Sequence, residues 1–161
     1  MTDPTLPTHP SACLKALGLA LPALPKPSGN YVPYVISGTL LYLSGKGAPT
    51  REIKPGSTVP KVGAEVSIAQ AQSYAREVAL FHLATIEAAL GDLARVKRFV
   101  KVIGLVNATP DFCDHPQVMN GYSDLMVAVF GTRGEHARSA MGAGSLPKGF
   151  AVEVEAIVEI G

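Results

Sequence analysis

Arg138 stands among small residues in the stretch HARSAMGAGSLPKGFAVEVEAIVEIG, which ends in an alternating run carrying Glu153 and Glu155. An arginine in such a setting has two ordinary uses. It pairs with a structural carboxylate, or its planar fork clamps a ligand carboxylate through two parallel hydrogen bonds. The glutamates are at i and i+2 of an expected strand, so they leave the same face about 7 Å apart. That spacing suits two carboxylates flanking a water. It also describes a solvated charge row, which the spacing alone favours. Tyr31, the Ser44–Gly45 pair and Asn120 offer hydroxyl, backbone and amide hydrogen bonds to such a site. No periodicity brings these groups together.

Other chemistries find little support. His9, His82, His115 and His136 show no i+3 or i+4 pairing, so no metal-binding helix is legible. His82 falls on an apolar helix side and reads as a packed residue rather than a ligand. The glycine-rich GAGSLPKG (142–149) has neither the preceding strand nor the following helix of a phosphate loop, and reads as a connection into the last strand. Cys13 and Cys113 lack CxxC or zinc spacing, which suits two thiols in a reducing cytoplasm. The first residues have no basic region and are broken by prolines, so no signal peptide is expected. No stretch approaches the ~20 apolar residues of a membrane helix.

The elements that must position these groups can be read next. A chain of 161 residues defaults to one domain. Apolar residues make up 47% and charged residues 17%, with a mean hydropathy of +0.24. Such a chain suits an oligomer that hides part of its apolar surface. The net charge is +1, with no tryptophan and no basic run interleaved with aromatics, so nucleic acid is not an expected partner.

Residues 11–21 suggest a short helix with Ser11 as N-cap and Cys13, Leu14 and Leu17 on one face. Two strands meet at Ser37–Gly38. The second has Leu41 and Leu43 on one face, Leu40 and Tyr42 on the other, and is expected to be covered on both. A short strand around Arg51–Lys54 is possible. Ser67 and Gln70 form a capping-box pattern that opens a long helix ending at Leu90 before Gly91. Residues 95–107 read as a strand, with Val96, Arg98, Val100 and Val102 on one face and Phe99, Ile103 and Leu105 on the other. A second helix starts near Asp114, with Gln117 in capping-box position, and stops at Phe130. The last strand runs Ala151–Ile160, with Val152, Val154, Ala156, Val158 and Ile160 sharing a face. The order β-β-(β)-α-β-α-β predicts an α+β sandwich, one sheet with both helices on a single face. Its other face needs cover, and self-association is the natural source.

The stretch ARSAMGAGSLPKGFAVEVEAI resembles the C-terminal signature of the Rid/YjgF family, the reactive intermediate deaminases. That signature joins an arginine-serine pair, a short small-residue strand, Leu-Pro, and an apolar-Glu-apolar-Glu-Ala strand. GNYVPYVISGTLLYLSGKG resembles the family's first hairpin, VKVIGLVNATPDF its strand-turn segment, and VMNGYSDLMVAVFG its second helix. The resemblance implies a chorismate-mutase-like fold, a mixed sheet with two helices on one face. It implies a homotrimer whose sheets form a central barrel, with sites in the clefts between subunits. The implied activity is hydrolysis of enamine/imine intermediates such as 2-aminoacrylate to 2-keto acids and ammonia, with a small carboxylate-bearing substrate and neither metal nor organic cofactor. By position, Arg138 matches the carboxylate clamp, Glu153 the water-handling glutamate, Tyr31 the cleft tyrosine, Ser44 and Gly45 the pair ending the second strand, and Asn120 the helix asparagine.

Two other functions stay open: a non-catalytic 2-keto acid-binding regulator, and the family's older labels, endoribonuclease L-PSP and translation initiation inhibitor. The charge balance argues against specific RNA binding. Three features depart from the family pattern. Ala140 stands where the best-known members carry cysteine. The segment KGAPTREIKPGSTVPKVG differs from the usual glutamine-containing version. A leader, residues 1–28, precedes the single domain at 29–161 and is expected to cover a cleft or a trimer edge.

Overall fold

The longest element forms where capping chemistry and apolar periodicity agree. In chain order the elements are α1 (Pro10–Ala16), β1 (Tyr34–Ser37), β2 (Leu40–Ala48), α2 (Ile68–Leu90), β3 (Val96–Val106), α3 (His115–Phe130), β4 (Ala137–Gly142) and β5 (Val152–Ile160), with short 3-10 turns between some of them. They come from a computed structural model that describes residues 8–26, 29–48 and 57–161. Ser67 Oγ accepts from the Gln70 amide at 3.2 Å, and Gln70 Oε1 accepts from the Ser67 amide at 2.9 Å. This reciprocal box satisfies two otherwise orphaned donors and starts α2. Gly91 stops it in the left-handed region at φ 78°, its amide donating to Glu87 O.

α1 starts differently from expectation, and α3 starts where expected, after Asp114, but without the expected capping bond. Pro10 occupies the first turn of α1, where its missing N–H costs nothing, so Ser11 lies inside the helix and is not the cap. The helix ends at Ala16, leaving Cys13 and Leu14 buried and Leu17 exposed. Asp114 precedes α3 without capping it, because its backbone lies outside the extended region that aims a cap side chain at the helix amides. The Gln117 side chain instead donates to the Asp114 carboxylate at 3.1 Å.

The strands form one mixed sheet in the order β1-β2-β5-β3-β4. All neighbours are antiparallel except β3 and β4. The parallel pair is joined through α3, the crossover that a parallel neighbour requires. Residue patterning alone did not mark β4, whose small residues carry no apolar alternation. The expected strand around Arg51–Lys54 lies outside the described residues.

Val152, Val154, Ala156, Val158 and Ile160 of β5 are buried, as their alternation predicts. They face α2 and α3, which pack on each other and on this side of the sheet. The alternation expected for β3 fails, because pairing with β5 shifts register between Val96 and Arg98 and again between Phe99 and Lys101. These bulges carry Val96, Phe99 and Val102 to the same buried face. Within one chain β2 is covered on one side only. Leu41 and Leu43 are buried, whereas Tyr42 and its cross-strand neighbour Val35 are exposed on the open face.

Candidate functional site

A bulge in β2 between Leu43 and Lys46 creates the principal cleft. β1 pairs with β2 only as far as Tyr34–Leu43, so among the described residues no strand lies beside the edge beyond. Ser44 fastens the bulge to the segment leading into β1: its Oγ donates to Val32 O at 2.7 Å and its amide to Pro33 O at 3.0 Å. The resulting cleft has a volume of about 670 Å³ and is lined by Tyr31, Ser44, Gly45 and Glu153 among others. Leu24, Pro25 and Lys26 of the leader also line it.

The Glu153 carboxylate passes so close to Gly45 that a β-carbon there would collide with Oε1. Glu153 is half-buried, and burial first, then the neighbouring Glu155 charge, pushes its carboxyl above the usual range. Glu155 is exposed. The two carboxylates that spacing could not tell apart therefore differ: one lies in the cleft and the other meets solvent.

Arg138 and Asn120 meet elsewhere. One terminal nitrogen of Arg138 donates to Asn120 Oδ1 at 3.1 Å and to Ser123 Oγ at 2.9 Å, and the other donates to Pro116 O at 3.2 Å. All three acceptors are neutral, so among the described residues no carboxylate compensates the guanidinium. Ser123 is held in turn by His136. The His136 Nδ1 lies 2.6 Å from Gly134 O and must donate to it, which leaves Nε2 to accept from the Ser123 hydroxyl at 2.9 Å. Burial, reinforced by the nearby Arg138 charge, lowers the His136 pKa despite the Gly134 carbonyl.

One chain does not bring these two groups of residues together. Arg138 stands opposite Val102, which stands opposite Ala156, on the helix-covered face. Glu153 stands opposite Leu105 and Gly47, on the other face. β4 and β5 are two strands apart, about 10 Å, and the rows differ by three residues, about another 10 Å. The chain thus carries Tyr31, Ser44, Gly45 and Glu153 in one place, and Arg138 with Asn120 in another.

Further cleft groups escaped the residue patterns. Lys46 lies with Nζ 4.2 Å above the Phe81 ring, and Lys148 enters from the loop before β5. His82 lines the cleft and is buried, as its helix face predicts. Desolvation pushes its pKa down to about 4. Its Nδ1 lies 2.8 Å from the hydroxyl of Tyr122, a phenol that burial keeps protonated. Behind the loop, buried Asn107 accepts from Lys61 Nζ at 2.5 Å and donates to Phe150 O at 3.1 Å, while Lys61 also reaches Gly144 O at 2.7 Å. Two faint signals existed: a lysine directly after Ser44–Gly45, and another inside the glycine-rich loop. Among the described residues no cluster of three His, Cys, Asp or Glu could hold a metal, and no helix is long and apolar enough to cross a membrane.

A five-stranded mixed sheet backed by paired helices, with a cleft at a bulged strand edge, defines an α+β class, and comparison with known proteins gives its family. The family model described as "YjgF/chorismate mutase-like, putative endoribonuclease" matches residues 11–158. Protein TCP17 of Trypanosoma cruzi is 45% identical over 151 residues, covering 93% of each chain. The crystal structure of Atu1372 from Agrobacterium tumefaciens, described as of unknown function, is 41% identical and superposes with a TM-score of 0.82 over 95% of this chain and 94% of that one. RidA from an Antarctic Psychrobacter is 27% identical, with a TM-score of 0.56 over 84% of this chain and 93% of that one. The chain belongs to the YjgF/chorismate mutase-like family.

Proposed function

We propose that the protein hydrolyses reactive enamine/imine intermediates of the 2-aminoacrylate type to 2-keto acids and ammonia, in a cleft completed by a neighbouring subunit of a homotrimer. The observation that carries this reading is the division of the site residues. Glu153 waits in an open-edged cleft, while an uncompensated Arg138 is fixed at the opposite side of the sheet. Neither half suffices alone, and a subunit presenting Arg138 to the next subunit's cleft joins them. The exposed apolar face of the sheet favours the same association.

The chemistry asks little of the protein. 2-Aminoacrylate takes up a solvent proton at its methylene carbon and loses one from nitrogen to give the imine, whose carbon is already electrophilic, so fixing the substrate carboxylate on Arg138 supplies orientation. Water adds to the imine carbon while Glu153 accepts its proton. The imine nitrogen is protonated, the C–N bond breaks, and ammonia leaves a ketone. The raised pKa of Glu153 makes it a better proton acceptor near neutral pH than an ordinary carboxylate. The relationship to RidA supports the reading, and Ala140, in place of the cysteine of the resembling members, makes the mechanism independent of a thiol there.

The test is release of 2-keto acid and ammonia from 2-aminoacrylate generated in situ, above the rate in buffer. Wild type accelerates it, and Arg138→Ala and Glu153→Gln do not. Equal rates for wild type and Arg138→Ala remove the clamp. Tight 2-keto acid binding with no acceleration by wild type makes the protein a binder rather than a hydrolase.

A further inference from the structure

The cleft is larger, and more cationic at one end, than a three-carbon imine requires. Its volume of about 670 Å³ falls in the range of pockets that enclose whole drug-sized ligands. Much of the wall is apolar, including Leu24, Pro33, Phe81 and Phe150. Lys46 and Lys148 enter this wall from different elements, β2 and the loop before β5.

One feature marks this end as built for a ligand. Lys148 is the only non-glycine among the described residues with a positive φ, 54°. A lysine gains nothing locally from that conformation, and such strain persists where the surrounding structure holds it for use. The anchor is visible: the Lys61–Asn107 network ties the loop through Gly144 O and Phe150 O. His82 backs the same wall. Tyr122 has one recorded partner, His82 Nδ1, so the phenol donates there and the imidazole proton rests on Nε2. That buried N–H has no hydrogen-bond partner among the described residues. The Ser44 backbone favours the charged ring, but its geometry falls short of a hydrogen bond. The nitrogen is too deeply enclosed for a ligand oxygen to reach it, so His82 shapes the wall beside Ser44 rather than meeting a ligand.

Lys46 is half-buried and Lys148 exposed, and the two like charges repel. Burial and the Lys148 charge outweigh Glu77 in lowering the Lys46 pKa. An anion placed between the two ammonium groups relieves both costs. We infer that Lys46 and Lys148 form a second carboxylate subsite, so that the substrate is an imino acid whose side chain ends in its own carboxylate. This rests on the proposed function only for the reaction; the subsite concerns the far end of the same ligand.

Binding separates the two. Calorimetric titration of the full-length protein compares 2-oxoglutarate, which carries a second carboxylate, with 2-oxobutyrate, which does not. The wild type is expected to prefer 2-oxoglutarate at least about tenfold, the scale of one charge-assisted contact. Lys46→Met, at a half-buried position, and Lys148→Met, at an exposed one, each bring the ratio of affinities close to one, with melting curves showing that both variants are folded. Equal affinities in the wild type, or a preference that survives both substitutions, overturns the subsite. Failure of the hydrolytic reading shows separately, as absent 2-aminoacrylate turnover with the preference intact.

Discussion

The carboxylate of Glu153 lies against Gly45 so closely that no β-carbon fits between them. The glycine sits in the β2 bulge, and the glutamate reaches it from β5. Gly45→Ala therefore displaces the carboxylate without touching the core. The expected result is a kcat/KM lower by about tenfold or more with a Tm close to that of wild type. Unchanged activity would mean that the position of Glu153 does not matter.

The proposed sharing of the site between subunits predicts complementation. Arg138→Ala and Glu153→Gln proteins, each inactive, are co-expressed and purified as mixed assemblies. In a ring where each cleft takes Glu153 from one subunit and Arg138 from the next, about a quarter of the sites in a random mixture are intact. Activity near that fraction supports the shared site; none at all contradicts it.

Glu153 carries a pH signature of its own. Its folded-state pKa is raised by burial and by Glu155. Its contribution to stability is present below the unfolded carboxylate pKa and is lost as pH rises through the folded value. Glu153→Gln should therefore melt higher than wild type at pH 8, with the advantage shrinking as pH falls into the carboxylate range. Melting curves across that window decide the sign.

His82 acts in the opposite direction. Its pKa falls from an ordinary 6.5 to about 4, so its neutral form is the one that folds. Stability is complete above pH 6.5 and declines as pH falls towards 4, by about 3 kcal/mol if the shift is fully expressed. Urea denaturation at pH 7.5 and pH 4.5 measures the decline. His82→Phe should flatten it, and Tyr122→Phe should cost about 1–3 kcal/mol at neutral pH by removing the donor to Nδ1.

The Asn107 amide and the Lys61 ammonium hold the loop that carries Lys148 and Phe150. Asn107→Ala leaves Phe150 O without its amide donor and should cost about 1–3 kcal/mol. Faster hydrogen exchange confined to residues 143–151 would identify the loop as the part released.

Several features were fixed by local sequence, because they depend on interactions within a few residues. The Ser67–Gln70 box and Gly91 bound α2, the period-two alternation of β5 sets its buried face, and Ser37–Gly38 marks the hairpin. Arg138, Glu153, Tyr31, Ser44, Gly45 and Asn120 were identified by type and by their resemblance to a family pattern. Their grouping was not legible, since no local rule relates residues on β2, β4 and β5. Tertiary structure decided it through strand order and register, which place Arg138 and Glu153 on opposite faces of one sheet. Long-range pairing also decided the bulges that turn Phe99 inward and open the β2 edge. Burial then set apart Glu153 and Glu155, equivalent by spacing, enclosing the first in the cleft and raising its carboxyl pKa while the second stays exposed, and turned a loop lysine and a helix histidine into parts of the cleft wall.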